Sequence, residues 1–184
     1  MWYPLFLVKD LDKASPSRFT LLGEPLVIWW DKVSSTWRVF ADLCPHTLAP
    51  FSEGRITDQG LLECPFHGWA FSGDGICKVI PQQPEGGCAH KTKRACAKTF
   101  PANVSQGMLF VYPGDPDNAE TVKIPQLDSF EEIDESWVVI ETFRDVPYNI
   151  FTLLENVLDP SHLCFTHHKS LGDRTQAGPI RLKL

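Results

Sequence analysis

The chain has 184 residues, 43% hydrophobic and 22% charged, enough for one domain or for one domain and part of another. Its formal net charge is −6 and no basic stripe stands out, which argues against a nucleic-acid partner. No apolar run approaches the roughly 20 residues of a membrane span, and the opening MWYPLFLVKD reads as neither a signal nor a transit peptide.

The first elements read as β-structure. Residues 2–12 begin with an apolar-aromatic segment suited to an edge strand or arm. Leu26–Trp30 (LVIWW) is a buried-type β run, Thr36–Asp42 (TWRVFAD) alternates, and Asp31–Ser35 supplies the turn of a hairpin. Directly behind it stands Cys44-Pro-His46. Seventeen residues separate His46 from Cys64, where a second hook, Cys64-Pro-Phe-His67, follows a polar stretch (52–60) and a short strand at Leu61–Glu63. Gly68-Trp69 closes the motif. Trp69–Phe71 and Ile76–Ile80, joined by Ser72-Gly73-Asp74-Gly75, give another hairpin signal. Pro81–Gly87 is a proline- and glycine-rich loop, KTKR at Lys91–Arg94 reads as a solvated loop, and Met108–Tyr112 is a buried strand ended by PGDPDN. Short strands with turn punctuation and no helical period indicate an all-β domain over residues 1–125.

Each hook offers one thiolate and one imidazole. A Rieske [2Fe–2S] centre takes two Cys on one iron and two His on the other. Competing readings are two cysteines packed as small hydrophobes, two ordinary loop histidines, or a Cys₂His₂ zinc site. Zinc fingers place two Cys together and then two His together. Here each hook mixes the types, so each would serve both irons of one cluster, with Cys44, His46, Cys64 and His67 as ligands. Cys77, Cys88, Cys96 and Cys164 are left as core residues or plain thiols, a redox pair among them being the lesser option.

The character changes after Pro125. Acidic Asp128–Glu135 reads as a linker or surface loop, and Trp137–Phe143 (WVVIETF) as a strand. From Tyr148, apolar residues at 150, 151, 153, 154, 157 and 158 form a helical face. Asn156, Asp159 and His162 recur at three-residue spacing and would share one face of a continuous helix. Pro160 argues for a local distortion that aims His162 and His167 at one point. Two imidazoles are two thirds of the facial triad of non-haem Fe(II) oxygenases. A core histidine at 162 and a solvated His167-His168 pair form the competing reading.

The segments LLGEPLVIWWDK, FADLCPHTLAPFSEGRI, KTFPANVSQGMLFVYP and LLENVLDPSHLCFTHHK together resemble the Rieske non-haem iron oxygenases. The nearest branch is that of the pheophorbide a oxygenases, with chlorophyllide oxygenases and a plastid translocon component further off. The resemblance implies a mainly β fold: a Rieske-type iron–sulfur β-sandwich over residues 1–125, then the truncated start of an α+β, helix-grip-like catalytic domain over 126–184. It implies a [2Fe–2S] cluster on Cys44, His46, Cys64 and His67, and mononuclear Fe(II) on His162 and His167. Asp159 matches the carboxylate that bridges the Rieske His of one subunit to an iron-ligand His of the next, and Asn156 joins it in the catalytic constellation. The implied partners are ferredoxin as electron donor, O₂, a chlorophyll-derived tetrapyrrole whose macrocycle is opened, and two further copies in a ring-shaped homotrimer. The implied location is the chloroplast.

Rieske proteins of respiratory and photosynthetic complexes resemble the same motif but carry one more Cys in each hook, joined as a disulfide. The matching positions here are Ala49 and Phe66, which favours the ferredoxin-like and oxygenase branches. Thr47 departs from the Arg usual in close relatives. The family's third iron ligand, and the branch's C-x-x-C motif and membrane segments, would lie beyond Leu184. The chain therefore reads as a fragment incomplete for catalysis, with membrane association only through those segments. The alternative is an electron-transfer or redox-sensing envelope component without oxygenase turnover.

Overall fold

The computed structural model describes residues 1–128, 137–142, 144 and 146–180, which divide into two compact units, Met1–Phe143 and Arg144–Leu184. The first is built from eleven strands: β1 (Tyr3–Leu7), β2 (Ser17–Leu21), β3 (Glu24–Asp31), β4 (Thr36–Ala41), β5 (Arg55–Ile56), β6 (Leu62–Glu63), β7 (Ala70–Phe71), β8 (Cys77–Val79), β9 (Thr99–Phe100), β10 (Ala102–Ser105) and β11 (Met108–Val111). They pair antiparallel in three sheets, ordered β1-β11-β10, β2-β3-β4-β9 and β5-β6-β7-β8.

The two-residue period of β3 and β4 gives the second sheet two apolar faces. Leu26, Ile28, Trp37 and Val39 pack with Leu5, Leu109 and Val111 of the first sheet. Val27, Trp29 and Phe40 turn the other way, onto Phe51, Leu62, Phe71 and the buried thiols of Cys44, Cys64 and Cys77. A run of edge-to-face rings links these layers: Trp29 to Phe40 at 5.5 Å, Phe40 to Phe51 at 6.5 Å, and Phe51 to Phe71 at 5.1 Å between centroids. Each such pair adds about 0.5–1.5 kcal/mol beyond area burial. Phe51 and Phe71 follow the first and second hooks, so their contact draws the two loops together.

The β3–β4 hairpin forms where the alternation places it. Asp31 holds its turn by accepting hydrogen bonds from Val33 N (3.0 Å) and Ser34 Oγ (2.6 Å). The arm at residues 2–12 yields edge strand β1. The strand expected at Trp137–Phe143 is not there. Phe143 lies outside the described residues, and 137–142 form no strand. Among the described residues their β propensity has no strand to act on: Val138 is 86% and Ile140 82% exposed, and Glu141 is tied to Lys9 by a 3.0 Å ion pair. The acidic stretch expected at Asp128–Glu135 falls outside the described residues except for Asp128.

In the second unit, α1 (Ile150–Leu158) starts at an Asn149 cap whose side chain accepts from Thr152 N at 3.0 Å. It stops one residue short of Asp159, which takes an extended conformation (φ −99°, ψ 91°) because Pro160 excludes the helical one. A 3₁₀ turn (Pro160–His162) and the short α2 (Leu163–Thr166) follow. Among the described residues no helix is long and apolar enough to cross a membrane.

Candidate metal centre

The two hooks are the same loop built twice. In the first, Cys44 N donates to Ala49 O (2.9 Å) and Leu48 N donates back to Cys44 O (2.8 Å). In the second, Cys64 N donates to Trp69 O (2.8 Å) and Gly68 N to Cys64 O (3.1 Å). The fifth residue of each loop is left-handed, Leu48 at φ 62° and Gly68 at φ 71°. Glycine takes that conformation freely, whereas leucine is strained in it by roughly 1–2 kcal/mol. A side chain at Gly68 would also press on Pro81, whose Cγ lies 3.1 Å from where a Cβ would stand.

This construction brings the candidate ligands together in two pairs, the histidines with each other and the cysteines with each other. The His46 and His67 rings meet edge to face at 4.6 Å between centroids, and His46 lies flat on Trp69 at 4.4 Å. Both cysteines are buried. Burial pushes the Cys44 thiol up to about 12, and the neighbouring Cys64 adds to the rise, against the backbone N–H groups of His46 and Thr47 that point at its sulfur. A thiol that resists ionisation in water-poor surroundings becomes a thiolate when a metal replaces the proton.

Supporting contacts fix each loop. Asp42, 1% exposed, accepts from Ser52 N (2.7 Å) and Ser52 Oγ (2.6 Å), clasping the ends of the first hook. Gln82 Nε2 donates to His67 O at 3.1 Å, holding the proline-rich loop over the second. Asp42, Ser52 and Gln82 carried no sequence signal of this role. The nearest cue is a carboxylate at Asp42 ending an apolar strand.

The four side chains fit a two-iron cluster by an independent observation. His67 Nδ1 is buried and has no hydrogen-bond partner, a costly state for a polar nitrogen unless something coordinates it. Among the described residues no group of three or more His, Cys, Asp or Glu closes around one ion. Two ligands on each of two irons, two thiolates and two imidazoles, match this donor set better than a single zinc does.

In the second unit the broken helix separates residues that a continuous one would align. Asn156 stays exposed on α1, while Asp159 caps the 3₁₀ turn, its carboxylate accepting from Ser161 N at 2.9 Å and from Ser161 Oγ. These hydrogen bonds hold its carboxyl below the usual range. The distortion brings His162 and His167 together, rings 5.4 Å apart at 62°. His162 Nδ1 is bonded to the carbonyl of Asp159, which leaves Nε2 for other use. His168 takes no part in that pair; its Nδ1 accepts from Arg174 N at 3.2 Å and lies 3.9 Å from Asp173.

Comparison with known proteins agrees with this donor set. Over its whole length the chain is 48% identical to "Pheophorbide a oxygenase, chloroplastic" of Arabidopsis thaliana and, equally, of Oryza sativa subsp. japonica, spanning 35% of each. Over 91% of its length it is 41% identical to "Protochlorophyllide-dependent translocon component 52, chloroplastic" of Arabidopsis thaliana, spanning 30% of that protein. The chain thus covers about a third of the curated relatives it matches. Among solved structures, dicamba monooxygenase bound to dicamba superposes with a TM-score of 0.78 and 28% identity, over 91% of this chain and 47% of that one. The Rieske [2Fe-2S] domain matches residues 1–104, the stretch that holds both hooks and all three sheets but for the end of β10 and β11. With paired Cys–His loops, a buried imidazole nitrogen that no hydrogen bond satisfies and this match over residues 1–104, the chain belongs to the Rieske [2Fe-2S] domain family.

Proposed function

We propose that the chain is part of a Rieske non-haem iron oxygenase that acts on a chlorophyll-derived tetrapyrrole, opening the macrocycle of pheophorbide a. The observation that carries this reading is the 48% identity to two pheophorbide a oxygenases along the entire chain, which runs through the second unit as well as the hooks. Residues 1–125 would form the cluster domain and 126–184 the beginning of the catalytic one. Cys44 and Cys64 hold one iron of the cluster and His46 and His67 the other. His162 and His167 hold a mononuclear Fe(II), the remaining ligand coming from elsewhere in the full-length protein. When bound, the cluster supplies single electrons and the Fe(II) an open position for O₂.

The chain's own residues set up that chemistry. Asp159 orients His162 through its carbonyl, which leaves Nε2 as the nitrogen that would hold a metal. Its carboxylate, bonded to Ser161, is the group that would reach across to a cluster histidine of the next subunit in a homotrimer. Asn156, exposed on α1, is the further polar residue of this group. Ferredoxin is the expected electron donor. The chloroplast is the expected location, in keeping with the word "chloroplastic" in the names of the relatives given above.

Full-length protein assayed with pheophorbide a, reduced ferredoxin and O₂ should consume the tetrapyrrole, and His162→Ala should abolish this while keeping the cluster's visible spectrum. The translocon-component relative favours a second reading, electron transfer or redox sensing without turnover. Iron analysis separates them. Three irons per chain, falling to two in His162→Ala, support the oxygenase; two in both proteins support the carrier.

A further inference from the structure

The acidic balance of the chain is not evenly spread. Residues 75–112 contain Lys78, Lys91, Lys93, Arg94 and Lys98 against Glu85 alone, in a chain of net charge −6. All five cations are exposed. The KTKR run, read in isolation as a solvated loop, is joined in space by Lys78, because the 3₁₀ turn Ala89–Lys91 packs against β8. Among the described residues none of the five has a carboxylate within ion-pairing distance. Lys98 lies over the Phe100 ring at 5.0 Å, and the carboxylate next to this stretch, Asp74, is bonded by Ser72 Oγ and feels the charge of Lys78 without an ion-pair contact.

The patch is wired to the cluster loop. Gln82 bonds His67 O at 3.1 Å, and Pro81 stands against Gly68. The next residue, Gln83, contacts His90 Nδ1 through Nε2 at 2.9 Å and accepts from His90 N at 3.3 Å. His90 stands immediately before the run of cations. The roof of the second hook and the basic surface are thus one continuous loop, with a cluster histidine beneath one end and the cations of the KTKR run at the other.

We propose that the basic surface formed by Lys78, Lys91, Lys93 and Arg94 docks an acidic iron–sulfur electron donor and sets it beside the His67 side of the cluster. It rests on the electron-receiving half of the function proposed above and names where that electron arrives. One electron leaves the donor's reduced cluster and enters the oxidised cluster of this chain; no atom or proton is exchanged. A field of one sign next to a redox centre raises encounter rates with an oppositely charged partner and orients it, an effect that salt screens. An anionic lipid surface presents the same charge, but the patch adjoins the loop of a cluster ligand, and the exposed apolar side chains beside it are two aliphatic ones, Ile76 and Val79, flanking Lys78.

The test uses the cluster-loaded chain and a pre-reduced acidic [2Fe–2S] ferredoxin, with reduction followed in a stopped-flow instrument at several salt concentrations. The wild-type rate constant should fall as salt rises. Lys91→Glu/Lys93→Glu/Arg94→Glu should lower the low-salt rate by about tenfold or more and flatten the salt dependence, while reduction by photoreduced deazaflavin stays unchanged. A milder variant, Lys91→Gln/Lys93→Gln/Arg94→Gln, serves if charge reversal impairs cluster loading, and should give the same trend. Unchanged ferredoxin rates in the loaded variants would overturn the proposal. So would salt-sensitive binding to phosphatidylglycerol vesicles that the substitutions abolish while ferredoxin rates persist. Patch-dependent reduction supports the docking surface even where the full-length protein fails to turn over pheophorbide a, so the two readings fail separately.

Discussion

The imidazole of His46 lies parallel to the indole of Trp69, with planes 8° apart and centroids at 4.4 Å. Trp69 belongs to the second hook, where its carbonyl closes the loop onto Cys64 N. An aromatic ring of one hook therefore fixes a candidate ligand of the other. Trp69→Ala should release the His46 ring and cost the stacking energy of about 0.5–1.5 kcal/mol. Iron per chain should fall, and the visible circular dichroism of the remaining cluster should change, whereas Trp69→Phe should retain both. An unaltered dichroism spectrum in Trp69→Ala would mean that the indole is a bystander.

Asp42 predicts a stability effect. Its buried carboxylate accepts two part-buried hydrogen bonds from the half-buried Ser52, and Asp42→Ala removes both. A hydrogen bond of this kind contributes about 0.5–1.5 kcal/mol. Denaturant unfolding of the cluster-free chain should show a loss of that order, and cluster loading should become weaker. A midpoint equal to that of the wild type would show that the clasp contributes nothing.

Cys77 gives an alkaline limb to stability. Burial pushes its thiol from 9.0 up to about 11, with neighbouring Cys96 adding to the rise. The folded site holds the proton more tightly than the unfolded chain does, so the contribution is complete below pH 9 and is lost as pH climbs toward about 11. The amount is on the order of 2–3 kcal/mol. Cys77→Ala should remove this part of the alkaline decline in thermal melts of the cluster-free chain. In the same experiment at neutral pH, iodoacetamide should label exposed Cys88 and Cys96 and spare Cys77.

Asp159 combines a cap with a proposed bridge, and two substitutions separate them. Asp159→Asn keeps an acceptor for Ser161 N and so keeps the turn that aligns His162 with His167. In full-length protein it should retain the mononuclear iron yet lose turnover, because the charge is gone. Asp159→Ala should lose turnover and part of that iron, with the cluster's visible spectrum intact in both. Full turnover in Asp159→Asn would dismiss the bridging role.

The parts of this molecule legible in the sequence are those whose cause is local. The Cys–His spacing at 44–46 and 64–67, the alternation of β3 and β4, and the break at Pro160 each depend on residues next to one another in the chain. What escaped depends on distant partners. Strand β2 (SRFTL) carries no strong β signal and forms because β3 offers it an edge. Strand β9 is two residues long and exists by pairing with β4. Trp137–Phe143 errs in the opposite sense, having strand-like residues and no edge to join among the described ones. The same holds at the site. Trp69 was visible as the end of a motif, but nothing in the chain order says that it covers His46.

The hook geometry splits the work of position 47 in two. The amide of Thr47 points at the Cys44 sulfur, while its side chain is exposed to solvent. The main chain answers to the cofactor, and the side chain answers to whatever approaches from outside. An exchange between threonine and arginine there leaves the cofactor's cradle intact and rewrites the surface charge beside it; only proline, which lacks the amide, would disturb both. Residue 47 is thus a site at which descendants of one ancestor can diverge in the company they keep without relearning how to hold iron.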